Sequence, residues 1–398
     1  MTSAVIVDAI RTASGRGKPG GALSGVHPVD LLAGTIRALV DRNGLDPALV
    51  DDVIGGCVTQ AGEQGLNITR NAVLAAGFPE SVPGTSVDRQ CGSSQQAASF
   101  AAYGVLAGAY DIVIACGVES MSRVPMGTSV MVGGDPFAAL RAERYPEGLV
   151  GQGISAELIA GRWKLDRAAL DEFSARSHAR AAQAIADGAF ANEIVPVKVT
   201  GPDGTVSEHT VDQTVRAGTT VEGLGALKPS FYDPSYAQRF PEIGWHITPG
   251  NSSPLTDGAS AALIMSEEKA RALGLKPRAR FHSFAVTGSD PLLMLTGVIP
   301  ATQKVLARAG LSIGDIDAYE VNEAFAPVPL VWQSEIGADP EKLNPRGGAI
   351  ALGHPLGASG TKLLATLLNH LEQTGGRYGL QTMCEGGGMA NATIIEVL

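Results

Sequence analysis

The sequence predicts a layered α/β fold in which two similar halves are separated by a long insert. The first observation is an internal repeat: residues 39–56 resemble residues 305–322, with Arg42 opposite Arg308 at an offset of 266. Each copy is typical of a helix that ends at a glycine and leads through a short turn into a strand. The second observation is a similar repeat further along each half, and the third is a change of pattern between the halves.

The second repeated segment joins residues 111–118 to residues 379–386 at an offset of 268, which places Cys116 opposite Cys384. Chance similarity over so short a window is the alternative. The two offsets differ by only two residues, which makes that alternative weaker. Together the segments predict alternating strands and helices in both halves.

Residues 123–248 form the predicted insert, which we expect to cover the cleft between the halves. It contains one clear amphipathic helix, with Asp166 as N-cap and Gly188 at its end. The predicted buried stripe of this helix is Leu170, Phe173, Ser177, Ala181, Ala184 and Ile185. The predicted units are an N-terminal half (1–122 with 249–270), the insert (123–248) and a C-terminal half (271–398).

Composition and charge limit the possible functions. A chain of 398 residues that is 44% hydrophobic can bury more than one core. The net charge of −10 argues against a nucleic-acid partner, and an anionic small molecule would need a local basic patch. No stretch approaches the roughly 20 apolar residues of a membrane span, and no secretory signal is visible, so we expect a cytoplasmic protein. The four cysteines share no zinc-like spacing, and we expect no metal site.

A glycine-rich stretch, residues 347–360, carries His354 and Pro355. Glycine and proline disfavour both regular helix and regular strand, so the stretch predicts a loop whose backbone approaches another group closely. A loop of this kind that presents an imidazole is a candidate part of an active site. The alternative is a plain turn whose histidine caps a helix.

Cys91 follows a strand predicted over residues 85–90 and precedes a helix of small residues. A cysteine at this turn faces the positive end of the helix dipole, which is expected to lower the pKa of its thiol and make it nucleophilic. A structural cysteine packed at the same turn is the alternative. His354 follows 263 residues after Cys91, so the repeat predicts rough counterparts in the two halves.

Two further polar residues follow predicted strands of the second half. Cys384 precedes three glycines, among them Gly386, whose unobstructed N–H groups could face an oxyanion. Its alternative is a buried strand-end cysteine, which is how we interpret Cys116. Asn322 follows a strand at the carboxyl edge, where α/β proteins place their sites, although a helix N-cap is the alternative.

Together these segments resemble the thiolase family. Cys91 within residues 88–97 resembles the nucleophile motif of that family. The segments that resemble its other signatures, in family order, are 251–253, 322–325, 353–355 and 384–388. The resemblance runs essentially from end to end, and it implies a five-layered αβαβα fold whose insert binds coenzyme A.

The resemblance also implies a mechanism. His354 would activate Cys91, whose thiolate attacks the keto carbonyl of a 3-ketoacyl-CoA, and Cys384 would protonate the acetyl-CoA enolate that leaves. Coenzyme A, a co-substrate, would then take the acyl group, and the reverse sequence would be a Claisen condensation. One oxyanion site would be His354 with a water held by Asn322, and the other the N–H groups of Cys91 and Gly386. The resemblance implies no metal or other cofactor. It implies that the protein forms a homodimer or homotetramer.

By the same resemblance, the residues that would contact the substrate or coenzyme A are Ser253, Lys228, Phe325 and Gln152. Many thiolases carry a histidine–methionine pair where this chain has Gly151 and Gln152. That pair shapes the acyl pocket, so the replacement favours a degradative thiolase of lipid metabolism over a short-chain acetoacetyl-CoA thiolase working in the biosynthetic direction.

Three other classes remain as alternatives. A decarboxylating ketosynthase would need a second histidine, and a papain-like protease has no role for Cys384 or for the repeat. A non-catalytic binder of coenzyme A or lipid would be expected to lose a cysteine or the histidine. We also predict that oxidation can join Cys91 to Cys384, because both must approach one substrate.

Overall fold

The computed structural model describes residues 3–131, 133–134, 136–201 and 203–398. The strands are β1 (Ala4–Thr12), β2 (Gly15–Arg16), β3 (Asp52–Gly56), β4 (Thr85–Val87), β5 (Ile112–Ser120), β6 (Ile194–Val195), β7 (Val197–Thr200), β8 (Val206–His209), β9 (Thr256–Ser266), β10 (Ala279–Gly288), β11 (Ala318–Val321), β12 (Tyr378–Glu385) and β13 (Met389–Val397). The helices are α1 (Pro28–Arg42), α2 (Ile68–Ala75), α3 (Ser93–Leu106), α4 (Ala138–Arg144), α5 (Gln152–Arg162), α6 (Arg167–Ala186), α7 (Val221–Gly225), α8 (Pro234–Arg239), α9 (Glu267–Ala272), α10 (Val298–Ala309), α11 (Pro327–Ile336), α12 (Ala349–Leu352) and α13 (Ser359–Thr374).

The main sheet has the order β11-β12-β13-β10-β1-β9-β5-β3-β4, in which β11-β12-β13-β10 mirrors β3-β5-β9-β1 and β4 is an additional edge strand of the first half. In the first half β3 is parallel to β5, and β5, β9 and β1 pair antiparallel. In the second half β11 is parallel to β12, and β12, β13 and β10 pair antiparallel. The halves join where β1 pairs with β10. The repeat inferred from the sequence is therefore a repeat of strand topology.

Strand register fixes the offset between the halves. Asp52 pairs with Val113 in the first half, and Ala318 pairs with Gly379 in the second, so both strands repeat at the offset of 266. The antiparallel ladders repeat as well, but at a different spacing: each half has one bulge, after Ile6 in β1 and after Phe281 in β10.

The same offset appears in a pair of equivalent aspartates. Asp51 accepts hydrogen bonds from the backbone N–H groups of Asp111 (2.6 Å) and Ile112 (2.9 Å). The donors to its counterpart Asp317 lie 266 residues further on, at Arg377 (2.7 Å) and Tyr378 (2.9 Å). The predicted match of Asp51 with Asp317 is therefore confirmed.

The predicted match of Cys116 with Cys384 is wrong. At the offset fixed by the ladders, Cys116 corresponds to Thr382 and Cys384 corresponds to Val118. The alignment at 268 joined two cysteines by residue type, whereas hydrogen-bonded register is set by packing across the whole sheet. Cys91 likewise corresponds to Gly357 and not to His354, since α3 begins at Ser93 and α13 at the equivalent residue.

Three hydrophobic clusters separate five layers. The first packs α1 and α2 against the strands of the first half. The central cluster contains α3 and α13, which contact strands of both halves. The third packs α10 and α11 against the strands of the second half. These are the five αβαβα layers that the resemblance implied.

The insert packs against these layers, and its own small apolar cluster around Ala181, Ala184 and Phe190 is shared with Ala351 and Leu352 of the second half. Its residues Val150 and Ile154 belong to the cluster of the second half. The buried Arg11 of β1 forms ion pairs with Glu193 (2.6 Å) and Asp212 (2.8 Å) of the insert. The division into three units stays a prediction.

The predicted helix of the insert is confirmed as α6. The Asp166 side chain accepts a hydrogen bond from Ala169 N, and Gly188 follows the helix with a positive φ of 67°. The predicted stripe is buried, apart from Ile185, which is half-buried. Across the described ranges, no helix is both long enough and apolar enough to cross a membrane.

Two local predictions need correction. The strand predicted over 85–90 ends at Val87, because Asp88 Oδ1 accepts from Gln90 N and the chain turns there. The stretch 347–360, predicted as a loop without helix, contains α12 and the first residues of α13. Its alanines and leucine are good helix formers, and the glycines lie at the ends of that short helix.

Candidate active site

Cys91 lies in the turn between β4 and α3. Gln90 adopts a positive φ of 47°, which reverses the chain before the cysteine. Ser93 braces this turn, because its Oγ accepts from Arg89 N (2.9 Å) and donates to Gln90 O (2.6 Å). The turn therefore holds Cys91 one residue ahead of Gly92, the N-cap of α3, as the sequence predicted.

The Cys91 thiol is buried, with 4% of the residue exposed. Burial raises the pKa of this thiol to about 12, the charge of Glu385 adds to the rise, and a hydrogen bond from the Gln152 side chain opposes it. The prediction that the helix N-terminus lowers this pKa is therefore wrong, because desolvation outweighs the dipole. The thiol is protonated at neutral pH, and a base must take its proton during reaction.

His354 follows α12 and is held on three sides. Its backbone N–H donates to Thr256 Oγ1 (3.0 Å), and its Nε2 lies 3.3 Å from Asn322 Nδ2. Its Nδ1 lies 2.5 Å from Ser359 Oγ, which donates to Pro355 O (3.0 Å). With the Asn322 amide donating to Nε2, the ring proton resides on Nδ1, so Nε2 carries the lone pair.

The surroundings keep this imidazole neutral. Burial, helped by the charge of Lys362, lowers the pKa of His354 to about 3. The Lys362 ammonium donates to Ser14 Oγ (2.9 Å), to Gly353 O (3.0 Å) and to Leu352 O, so it also fixes the backbone just before the histidine. A fixed, neutral imidazole can accept a proton from a thiol.

Cys384 lies near the end of β12, paired with Ala390, and is fully buried. Burial raises the pKa of its thiol well above the usual value, and the charge of Cys91 contributes to the rise. A methyl group at the Gly386 Cα would lie 3.0 Å from Gln90 Oε1. The glycine turn after Cys384 therefore lies against the turn that carries Cys91.

The His354 loop reaches the same place. Leu356, two residues after His354, shares a small apolar cluster with Cys91 and Met383. Asn322 follows β11 directly and contacts the imidazole from the other side. The four residues predicted as catalytic thus converge from four different segments.

Sequence reasoning missed Glu119, a buried carboxylate on β5. It accepts hydrogen bonds from the N–H groups of Val58 (3.0 Å), Thr59 (3.0 Å) and Gly357 (2.9 Å) and from the Gln64 side chain (3.0 Å). This carboxylate therefore joins the His354 loop to the loop after β3. No local pattern marks it, since its donors come from three distant segments.

Glu323, next to Asn322, was missed in the same way. Its carboxylate accepts from Ser177 Oγ (2.7 Å), Asn344 Nδ2 (2.9 Å) and Ile350 N (3.1 Å). It therefore fixes α12 and the insert helix α6 against the strand that presents Asn322. Its position within the Asn322–Phe325 motif was the sequence feature that could have identified Glu323.

The residues predicted to contact coenzyme A lie in two places. Ser253 N donates to Ala324 O (3.0 Å), which places Ser253 beside Phe325. Phe325 packs edge-on against Phe231, with ring centroids 6.1 Å apart. Lys228 lies exposed on the insert.

A basic cavity of about 300 Å³ opens next to these residues. Three cations line it, one of them from the insert, and the segment after Ser253 forms part of its wall. Its lining residues are Arg16, Gly17, Lys18, Thr214, Arg216, Pro254 and Leu255. This is the local basic patch that an anionic ligand requires in an acidic protein.

Family models match almost the whole chain. Residues 4–268 match the model "Thiolase, N-terminal domain" and residues 275–397 match "Thiolase, C-terminal domain". The chain is 49% identical to the steroid 3-ketoacyl-CoA thiolase FadA6 of Mycobacterium tuberculosis, over 100% of this chain and 95% of that protein. It is 46% identical to the 3-ketoacyl-CoA thiolase of Serratia proteamaculans, over 100% of both.

A solved structure has the same architecture. The acetyl-CoA acetyltransferase of Bacillus anthracis superimposes with a TM-score of 0.88 at 35% identity, covering 100% of this chain and 99% of that one.

Proposed function

The chain belongs to the thiolase family of acyltransferases, and on that premise we propose that it cleaves 3-ketoacyl-CoA with coenzyme A in the degradative direction. The products are acetyl-CoA and an acyl-CoA shortened by two carbons. The observation that carries this proposal is the convergence of two buried thiols with a neutral imidazole that Asn322 and Ser359 orient.

In the first half-reaction Cys91 is the nucleophile. His354 takes the thiol proton at Nε2, and the thiolate sulfur bonds to the keto carbon of the substrate. The bond between C2 and C3 then breaks, which leaves the acyl group on Cys91 and an acetyl-CoA enolate. Cys384 gives its proton to C2 of this enolate, so that acetyl-CoA departs.

In the second half-reaction the acyl group moves to coenzyme A. The Cys384 thiolate takes the thiol proton of coenzyme A, whose sulfur attacks the acyl carbon. Cys91 leaves as a thiolate and recovers its proton from His354. The high pKa of both buried thiols supports this scheme, because each thiolate is a strong base when it forms.

The N–H groups of Cys91 and Gly386 and the His354–Asn322 pair are the proposed oxyanion sites. For coenzyme A, the cavity beside Ser253 has cations suited to its phosphates, namely Arg16, Lys18 and Arg216. Phe325 and the exposed Lys228 are proposed contacts along the pantetheine arm.

The acyl group is proposed to be longer or bulkier than acetoacetyl. Gln152 begins α5 and hydrogen-bonds the Cys91 sulfur, so it lies where the acyl chain would be attached. The next residue, Gly153, allows Phe231 to pack where a side chain would clash, at 2.4 Å from an added methyl. The name of the relative from Mycobacterium tuberculosis, a steroid 3-ketoacyl-CoA thiolase, supports a bulky substrate.

Thiolysis rates across a series of 3-ketoacyl-CoA substrates test this proposal. We expect kcat/KM for medium-length or ring-bearing chains to exceed that for acetoacetyl-CoA by about tenfold or more, since each methylene that a pocket buries discriminates by about 1–3 kcal/mol. A maximum at acetoacetyl-CoA would contradict the substrate class. Cleavage of no substrate at all would favour the non-catalytic binder.

Self-association is also proposed. Phe100 (42%), Tyr103 (37%) and Leu106 (45%) lie exposed on α3, and Leu66 is 95% exposed. These exposed apolar side chains support a homodimer or homotetramer, which sedimentation velocity would distinguish from a monomer.

A further inference from the structure

Two glutamates occupy equivalent positions in the two halves. Glu119 on β5 and Glu385 on β12 are related by the offset of 266 that the ladders fix. The Glu119 carboxylate accepts four hydrogen bonds. In contrast, neither carboxyl oxygen of Glu385 has a hydrogen-bond partner among the described residues, although its side chain is fully buried.

Glu385 lies directly beneath the turn that carries Cys91. A methyl group at the Gly92 Cα would lie 2.2 Å from Glu385 Oε1 and 2.7 Å from Asn391 Nδ2. Asn391 Nδ2 donates to Gly92 O (3.1 Å), so the two side chains hold this glycine from one side. Successive strand residues face opposite sides, so Glu385 shares with Met383 the face of β12 that packs near Cys91.

The charged groups around this carboxyl come mainly from the nucleophile turn. Arg89 Nη1 lies 4.0 Å away on a side chain that is 29% exposed. Burial raises the pKa of Glu385 to about 8, Arg89 opposes the rise, and Asp88 adds to it. The carboxyl group is therefore neutral at pH 7 and ionised in mild alkali.

Its charge acts on both thiols. An ionised Glu385 raises the pKa of Cys91 and that of Cys384, which precedes it on β12. Glu119 also acts on Cys91. Burial raises the pKa of Glu119 as well, but its four hydrogen-bond donors oppose that rise.

We propose that Glu385 is a positioning residue that tunes the ionisation of Cys91 and Cys384 through the charge on its own carboxyl group. Near neutral pH the two thiols lose their protons beside a neutral Glu385 carboxyl group. In alkali the ionised Glu385 carboxylate makes the formation of either thiolate less favourable. The idea that this matters for turnover rests on the proposed function, but the effect on the thiols does not.

The test is the rate at which iodoacetamide alkylates Cys91, followed by peptide mass spectrometry between pH 6.5 and 9.5 without substrate. Glu385→Gln mimics the neutral carboxyl at every pH. We expect equal rates for the variant and the wild type at pH 6.5, and alkylation of the variant about threefold faster or more at pH 9.5, since half a pKa unit is about threefold.

Two further variants separate charge from structure. Glu119→Gln, the counterpart in the other half, is the structural control. We expect its rate relative to the wild type to vary less with pH than that of Glu385→Gln, because the Glu119 carboxylate accepts four hydrogen bonds and that of Glu385 accepts none among the described residues. In an Arg89→Met background, the effect of Glu385→Gln on the rate should begin at higher pH, because the cation that favours ionisation of the carboxyl is gone. A ratio of Glu385→Gln to wild type that is constant with pH would overturn the proposal.

Because alkylation needs no substrate, failure of this proposal is distinct from failure of the proposed function. A pH-dependent ratio in an enzyme that cleaves no 3-ketoacyl-CoA would refute the function alone.

Discussion

The turns that begin α3 and α13 occupy equivalent places in the two halves, yet they do different work. Each helix begins with a serine, Ser93 in one half and Ser359 in the other. The Ser93 hydroxyl donates to Gln90 O and holds the turn before Cys91. The Ser359 hydroxyl donates to Pro355 O, one residue further back than the carbonyl that Ser93 uses, and it also contacts His354 Nδ1. Equivalent serines thus hold the turn before a thiol in the first half and the ring of an imidazole in the second.

The residue at the nucleophile position differs for a steric reason. Gly357 stands where the first half has Cys91, and a methyl group at its Cα would lie 2.6 Å from the Cys57 backbone. Its N–H is also taken by Glu119 (2.9 Å). The second half therefore cannot place a side chain there and presents His354 three residues earlier. The two halves repeat the same backbone arrangement. Close packing around Gly357 explains why the first half carries the thiol and the second half the imidazole.

Removing the nucleophile should have the largest effect. We expect Cys91→Ala to lower kcat/KM for thiolysis by about 10⁴-fold or more, since covalent catalysis is lost. Cys116→Ala is the matched control, because Cys116 is fully buried in β5 and its thiol pKa is raised to about 12 by burial alone. That control should stay within about threefold of the wild type in the same assay. Similar losses in both variants would mean that Cys91 is only structural.

The paired serines provide the next test. Ser359→Ala removes the acceptor at Nδ1 that fixes the tautomer of His354, and we expect kcat to fall by about 10- to 100-fold. Ser93→Ala removes the equivalent hydroxyl from the other half, which holds only the turn before Cys91, and should lower kcat by less than about tenfold. Steady-state kinetics on one substrate compare the two. Equal losses of kcat in the two variants would show that both hydroxyls act only by holding the turns before their helices.

Acid should destabilise the protein through its buried histidines, of which His178 in the insert is the simplest to test. Burial lowers the pKa of His178 to about 4, as it lowers that of His354 to about 3. The unfolded chain, with histidine pKa near 6.5, binds more protons below that pH, so stability is complete above about pH 6.5 and falls as the pH drops towards 4.

For each histidine the loss in the free energy of unfolding at pH 5 is about 2 kcal/mol. Urea unfolding of wild type and His178→Gln at pH 7.5 and pH 5 measures it. The variant should lose about 2 kcal/mol less than the wild type on acidification. An identical loss would mean that His178 takes up no proton on unfolding.

The repeat, the helix ends and the positions of the candidate residues were accessible from sequence because they depend on local patterns, whereas the five-layered fold and the catalytic roles were implied by the resemblance to the thiolase family. The glycine-ended helices, the Asp51–Asp317 match and the cap at Asp166 each follow from neighbouring residues. The positions of Cys91 and Asn322 after strands follow in the same way, since strand ends meet at one edge.

What could not be predicted depends on burial and on contacts between distant segments. The pKa of Cys91 was expected to fall and instead rises, because the sequence shows the helix dipole but not the desolvation that outweighs it. The correct counterparts of Cys116 and Cys384 could be found only from the pairing of strands in the sheet. The roles of Glu119 and Lys362 required their donors and acceptors, which come from segments far apart in the chain.

The most direct test of the central claim is to find which cysteine carries the acyl group. The protein is mixed with a 3-ketoacyl-CoA in the absence of free coenzyme A, quenched in acid, digested and analysed by mass spectrometry. We predict an acyl group, shortened by two carbons, on the peptide that contains Cys91 and none on the peptides of Cys116 or Cys384. An acyl group on Cys384, or on no cysteine while acetyl-CoA still forms, would contradict the account.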